Sequence, residues 1–252
     1  GGSVTAAYQI SVGDAISVPL TGWGGGAWSS GVWGTGGTTD SPMRLWSQSN
    51  FGEDLIFGPR GGAVYYWDVS SGTSSRSVNI STLGGASDTP TVQNFILVSD
   101  ISRFVFCFGA NTIGTSTQDP MLIRWSDQED AANWTPSATN QAGSLRLSRG
   151  TEIVTAQQSR QEVLVWTDSS VYSLQYLAGQ TVWGAQIVGD NISVASQNAV
   201  AYASGISFWM GRDKFYMYDG RTQPLPCDLR RYVFNDFNEA QLDQVFAGTN
   251  EE

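Results

Sequence analysis

The chain has 252 residues, enough to bury a full core, with 12% aromatic residues, only 14% charged residues and 29 glycines. That profile suits sheet layers joined by tight glycine turns and argues against a helical bundle, a coiled coil or a disordered tail. A net charge of −10 repels nucleic acid at long range, and the lack of any histidine removes Ser-His-Asp and Cys-His catalysis, histidine zinc sites and histidine pH switches.

Residues 1–40 differ from everything after them. Trp23, Trp28 and Trp33 recur every five residues in a glycine-serine background. Glycine removes side-chain bulk, and each tryptophan offers a large rigid contact surface. Two readings stay open: a surface loop whose tryptophans tuck into the adjoining sheet, or an arm that packs on a neighbouring subunit. The first fourteen residues lack the basic and then apolar layout of a signal peptide, so none is expected. No stretch approaches the roughly eighteen uninterrupted apolar residues of a membrane span.

From residue 41 a hairpin unit takes over. Residues 54–68 (DLIFGPRGGAVYYWD), 162–176 (EVLVWTDSSVYSLQY) and 205–219 (GISFWMGRDKFYMYD) share one layout. In each, two runs of β-branched and aromatic residues flank a few residues that tolerate tight turns, the chemistry of an antiparallel hairpin. A short strand precedes the first hairpin, and residues 78–81 are expected as a fourth strand. Residues 94–99 and 103–109 pair next, followed by strands at 121–125 and 144–147. A strand at 153–157 then leads into the second hairpin and a strand at 185–189. The last full unit runs from 199–203 through the third hairpin to the segment PLPCDLRRYVFNDF.

The second strands start near Asp54, Arg103, Glu162 and Gly205, at intervals of 49, 59 and 43 residues. Periods of about 40–50 residues with four strands each predict the blades of a β-propeller. A single blade cannot cover both faces of its sheet, so neighbours must stack around an axis. The expected fold is therefore all-β and propeller-like, with about four or more four-stranded blades over 41–252. The runner-up is a β-sandwich. Residues 238–243 predict a helical turn, and 244–249 (QVFAGT) the opening strand of a further blade. The chain is thus expected to be part of a longer polypeptide, or its ring to be completed by a strand near residues 7–10.

The polar clusters favour structural roles. Ser126, Asp127 and Trp134 partly match the Asp-box turn of sialidase-like propellers, although Asp127 directly follows Ser126 and the glycine is missing. A loop pinned by tryptophan, with Asp127 and Asp130 bonding backbone amides, is the expected arrangement. Asp127, Glu129 and Asp130 lack the spacing of a calcium loop. Asp68, Asp100, Asp168 and Asp219 sit at turns, where capping accounts for them. Cys107 and Cys227 match no metal spacing and are expected as free thiols in a reducing compartment. Arg230 and Arg231, followed by Tyr232, Phe234 and Phe237, form the one basic-aromatic patch. Pairing with carboxylates of the same or a neighbouring subunit is its expected use.

Five segments also carry a family resemblance: 22–34 (GWGGGAWSSGVWG), 43–68 (MRLWSQSNFGEDLIFGPRGGAVYYWD), 123–147 (IRWSDQEDAANWTPSATNQAGSLRL), 163–176 (VLVWTDSSVYSLQY) and 215–238 (FYMYDGRTQPLPCDLRRYVFNDFN). Together they resemble the tail nozzle proteins of short-tailed bacteriophages, a family that also goes under packaged-DNA stabilisation or tail hub proteins. The likeness runs in order from about residue 23 to residue 250. It implies a propeller-bearing subunit, assembled as a homohexameric ring at the distal end of the virion tail. That ring would contact other tail proteins such as the adaptor, hold the genome in, and pass it without sequence-specific binding. Assembly in the bacterial host cytoplasm is implied, and members of the family are usually longer. An acidic conduit fits, because a basic lining would retain a polyanion through many phosphate contacts.

The resulting expectation is a non-enzymatic virion component with no catalytic residue, metal or cofactor. Trp23, Trp28, Trp33, Arg230 and Arg231 are its candidate subunit contacts. Two alternatives are a glycan-binding or sialidase-like receptor-recognition propeller and a bacterial scaffold for protein partners.

Overall fold

The computed structural model describes residues 44–100, 102–179 and 181–250. The readings placed on Trp23, Trp28 and Trp33, and on a strand near 7–10, fall outside those residues. The compact unit that begins at Trp46 is built from four four-stranded sheets, each a simple antiparallel meander in chain order. Blade 1 comprises β1 (Trp46–Phe51), β2 (Asp54–Pro59), β3 (Tyr65–Trp67) and β4 (Val78–Asn79). Blade 2 comprises β5 (Phe95–Val98), β6 (Val105–Phe108), β7 (Leu122–Trp125) and β8 (Gly143–Arg146). Blade 3 holds β9 (Ile153–Gln158), β10 (Val163–Thr167), β11 (Ser170–Tyr176) and β12 (Trp183–Asp190). Blade 4 holds β13 (Val200–Ala203), β14 (Ile206–Met210), β15 (Phe215–Tyr218) and β16 (Thr222–Pro224). The all-β, blade-like architecture and its four-strand period are as the hairpin spacing predicts.

Burial along the strands follows from stacking. A blade with a neighbour on each face has no polar side, so its central strands read as unbroken apolar runs. Accordingly β6 and β10 are buried at every position. Strands of the end blades alternate instead, as β14 shows with Ser207 and Trp209 buried and its other residues half-buried. Side chains alternate across each sheet, so β6 serves two interfaces. Val105 and Cys107 pack with Ile56, Ile96 and Trp134 between blades 1 and 2. Phe104, Phe106 and Phe108 pack with Val163, Val165 and Trp183 between blades 2 and 3. Trp183 meets Phe106 edge-on, with ring centroids 4.9 Å apart. Between blades 3 and 4 the core is Leu164, Trp166, Trp209, Tyr216 and Tyr218. Burying each large apolar side chain contributes about 1.5–3 kcal/mol, so these interfaces, and not any isolated sheet, hold the unit together.

The first strands of blades 1 and 2 lie side by side and run parallel. Ser47 and Ser49 accept hydrogen bonds at Oγ from the backbone N–H groups of Ile96 and Val98, each at 3.0 Å and each 49 residues away. Buried Gln93 locks the same pair of blades by donating from Nε2 to Pro59 O at 2.9 Å. A side chain at Gly58 would put Cβ 2.5 Å from Ala63 O and 2.9 Å from that amide, which is why a glycine stands there.

One local expectation is corrected. The strand expected at 78–81 ends after Asn79, because Asn79 Oδ1 accepts from Ser81 N and caps a 3-10 turn over Ile80–Thr82. That turn aims Ile80 into the interface of blades 1 and 2. The segment after β16 includes a short helix, α1 (Arg230–Asn235), with no side-chain cap. Phe234 on α1 packs on Phe215 of blade 4, with centroids 5.2 Å apart. A helical turn follows at Glu239–Gln244, as the sequence predicts.

Candidate functional site

Two of the concavities lined by described residues bear on function. The first lies at one end of the axis, about 220 Å³ in volume, where all four blades and the Glu239–Gln244 turn converge. Its charged lining is Arg60, Arg212, Glu152, Asp168, Glu239 and Asp243. Much of this charge is committed to holding chain in place. Arg60 Nη1 pairs with Asp243 Oδ1 at 3.2 Å, which ties blade 1 to the C-terminal turn. Asp168 accepts from Thr151 N at 2.8 Å and Thr151 Oγ1 at 2.7 Å, fastening the loop that enters β9. The axial well is a polar end cap in which four carboxylates face two guanidinium groups.

The second concavity, about 350 Å³, runs along the face of blade 4 that turns away from blade 3. Ala199, Ala201, Phe208, Phe215 and Leu225 form its floor, and residues 245–249 form one wall. None of the residues lining it is charged. Phe246 in that wall, and Leu229 and Tyr232 at α1, are 81%, 66% and 77% exposed, more than any other large apolar side chain among the described residues. Blade 1 carries an aromatic face as well: Trp46, Phe57 and Tyr65 form a row with centroid spacings of 6.1 and 5.8 Å. The ends of the fan meet near the axis, where Gln197 donates from Nε2 to Trp46 O at 3.2 Å.

Two phenols, Tyr66 and Tyr218, hold their protons more tightly than a free tyrosine. Tyr218 is pushed up to about 12, first by burial and then by its hydrogen bond to Glu162. Burial, followed by its bond to Asp54, raises Tyr66 further still. An attacking tyrosine needs the opposite bias, toward easy loss of the proton. Both carboxylates serve as structural acceptors at the start of a second strand: Asp54 receives Tyr66 Oη, and Glu162 receives Ser173 Oγ. Burial likewise pushes the Cys107 thiol up. Cys107 and Cys227 are both free.

The Asp-box-like loop is arranged as its sequence suggests. Asp127 Oδ1 accepts from Gln128 N and Gln141 N, each at 2.8 Å, and Asp130 Oδ1 accepts from Ala132 N. Trp134 is fully buried and donates from Nε1 to Ala131 O at 2.8 Å. Asp68 caps Ser70 N, and those bonds hold its carboxyl below the usual range. Arg230 donates from Nε to the backbone carbonyl of Asp213 at 2.9 Å. Arg231 stands exposed next to it on α1. The axial well and the blade 4 groove were not singled out by sequence. The sequence carried no signal for them: β14 and β15 are as apolar as β6 and β10, and only their alternating burial marks blade 4 as having an open face.

No family model and no curated protein matches the chain. Among solved structures, the chain is similar to the extracellular domain of a hybrid two-component system from B. thetaiotaomicron (14% identity, TM-score 0.47, covering 78% of this chain and 24% of that one). It is also similar to YCF48 bound to D1 peptide (12% identity, TM-score 0.41, covering 78% and 57%). A third likeness is to BamB from Moraxella catarrhalis (14% identity, TM-score 0.39, covering 72% and 49%). The chain therefore spans less than two thirds of the length of each of these proteins.

Proposed function

We propose that this chain is a non-enzymatic, propeller-bearing subunit of the tail of a short-tailed bacteriophage. In this reading it assembles with copies of itself, and with neighbouring tail proteins, into the nozzle ring that retains the genome and then lets it pass. The observation that carries the reading is the cluster of Leu229 and Tyr232 on and beside α1, 66% and 77% exposed, together with exposed Arg231. Large apolar side chains concentrated at one place on a rigid scaffold mark a surface that another protein covers. A neighbouring copy with a net charge of −10 offers Arg231 a choice of carboxylates. Closing a ring requires two different complementary patches on each copy, and the fan has unlike ends: the aromatic row of blade 1 and the α1 end of blade 4. The acidic balance also suits a part that DNA must slide past. The family resemblance of the five segments supplies the tail as the setting.

Native mass spectrometry of the purified full chain tests this. A closed oligomer, six copies on this reading, that dissociates when Tyr232→Ser and Arg231→Glu are combined supports it. A chain that stays monomeric at high concentration refutes it.

A further inference from the structure

The turn that joins β15 to β16 carries the chain's one Asp-Gly pair, Asp219–Gly220, and the chain has no Asn-Gly pair. Both residues are exposed, and Gly220 holds a left-handed backbone at φ 104°. A side chain at Gly220 would meet no atom within 4 Å, so the space beside its amide is open. Gly220 N makes no hydrogen bond among the described residues. The neighbouring carboxylate is held loosely. Asp219 Oδ1 accepts from Arg221 N and Oδ2 from Gln223 Nε2, each at 3.3 Å, beyond the usual span of such bonds.

Asp168, followed by Ser169 in the turn between β10 and β11, has the opposite arrangement. Its two oxygens accept from Thr151 N at 2.8 Å and Thr151 Oγ1 at 2.7 Å. The next amide, Ser169 N, is taken up by Thr167 Oγ1 at 3.3 Å. Carboxyl and amide are both engaged there, whereas at Asp219–Gly220 the amide is free and the carboxyl can turn toward it. Glycine also leaves that nitrogen unshielded, since it carries no Cβ.

We propose that Asp219 isomerises spontaneously in the folded protein. Gly220 N attacks Asp219 Cγ, and the new C–N bond forms as the hydroxyl of the protonated carboxyl leaves with the amide proton as water. The product is a five-membered succinimide. One water then opens the ring at the main-chain carbonyl of Asp219, breaking its bond to Gly220 N. The chain now runs through the side chain as isoaspartate, with the former main-chain carbonyl as a free carboxylate. One water leaves and one returns, so no other reactant is needed.

The product lengthens by one carbon a turn whose three residues set the pairing of Tyr218 with Thr222. Thr222 Oγ1 donates to Val188 O at 2.8 Å, joining the outer strand of blade 4 to that of blade 3. Tyr218 lies in the core between the same two blades. Isomerisation therefore loosens blade 4 from blade 3.

The test keeps the purified full chain in neutral buffer at body temperature, samples it over weeks and digests it with trypsin, which releases residues 215–221 as one peptide. Liquid chromatography with electron-transfer fragmentation should show a second form of that peptide, of unchanged mass, with isoaspartate at 219 rising over time. A minor form lighter by one water should accompany it. The peptide holding Asp168 should stay single. So should the peptide from Asp219→Glu, whose reaction would need a six-membered ring. As isoaspartate accumulates, the urea midpoint of the aged protein should fall, and that of aged Asp219→Glu should not. No isoaspartate at 219, an equal amount at 168, or formation only once the chain is unfolded overturns the proposal. Isoaspartate at 219 with an unchanged urea midpoint overturns the loosening of blade 4.

Discussion

Replacing Asp88 with asparagine should destabilise the protein more than replacing the arginine it pairs with by methionine. Arg124 sits on β7 with its side chain fully buried, whereas the Asp88 side chain is 24% exposed. Arg124 Nη2 donates to Asp88 Oδ2 at 2.9 Å and to Asp88 O at 2.5 Å, and Nη1 donates to Asn111 O at 3.4 Å. These bonds anchor the crossover from blade 1 to blade 2. Burial pulls the guanidinium below its usual range, the sign of a cation kept from water. Asp88→Asn keeps the shape and tolerates the left-handed backbone at φ 44°, yet leaves that cation without an anion. Breaking a buried pair in this way costs about 3–5 kcal/mol; the partial exposure of Asp88 and the surviving carbonyl bonds bring the expectation to about 2–3 kcal/mol. Arg124→Met removes the charge itself. The carboxylate left behind reaches water and still accepts from Gly114 N, so the expected cost is about 1–2 kcal/mol. Urea unfolding followed by tryptophan fluorescence, extrapolated to water, gives both numbers. If Asp88→Asn costs no more than Arg124→Met, Arg124 is not buried as a charged anchor and the reasoning fails.

Other outcomes follow from the same structure. Trp209→Ala should cost about 3–5 kcal/mol, because Trp209 meets Trp166 edge-on at 5.4 Å in the interface of blades 3 and 4; a loss under about 1 kcal/mol in urea would show that the blades do not stack there. Tyr218 is held protonated up to about 12 in the folded state, while an unfolded phenol titrates near 10. The unfolded chain thus gives up its proton first, so this stabilisation is intact below about pH 10 and is lost as pH rises toward 12. Urea midpoints for Tyr218→Phe should fall less steeply over that window than those of the wild type. In a thiol titration, half-exposed Cys227 should react in the native state and buried Cys107 only after denaturant is added; two fast thiols would contradict the interface of blades 1 and 2.

Much of this fold was legible because the hairpins at 54–68, 162–176 and 205–219 state their period in β-branched residues, aromatics and turn residues. Inter-blade contacts depend on that period, and the 49-residue offset read from strand starts returns as the offset of the Ser47–Ile96 bond. The opening strand expected at 244–249 is present only as a bridge at Phe246, since nothing among the described residues pairs with its other edge. Helix α1 was missed because RRYVFN follows prolines and reads equally as an extended aromatic run; tertiary packing of Phe234 on Phe215 decides it. The partner of Arg124 was invisible for a different reason. Asp88 lies 36 residues away in a loop without a motif, and only the stacking of blades brings the two together. The open face of blade 4 was not legible, because ISFWM and FYMY are as apolar as the VFCF and VLVWT of the inner blades and alternate only in burial.

Electron cryomicroscopy of the purified full chain tests the central claim most directly. The account predicts closed rings in which each copy shows four blades fanned about its own axis and neighbouring copies meet through Leu229, Arg231 and Tyr232. Isolated particles at every concentration, or copies joined through a surface that leaves those three residues in solvent, would contradict it.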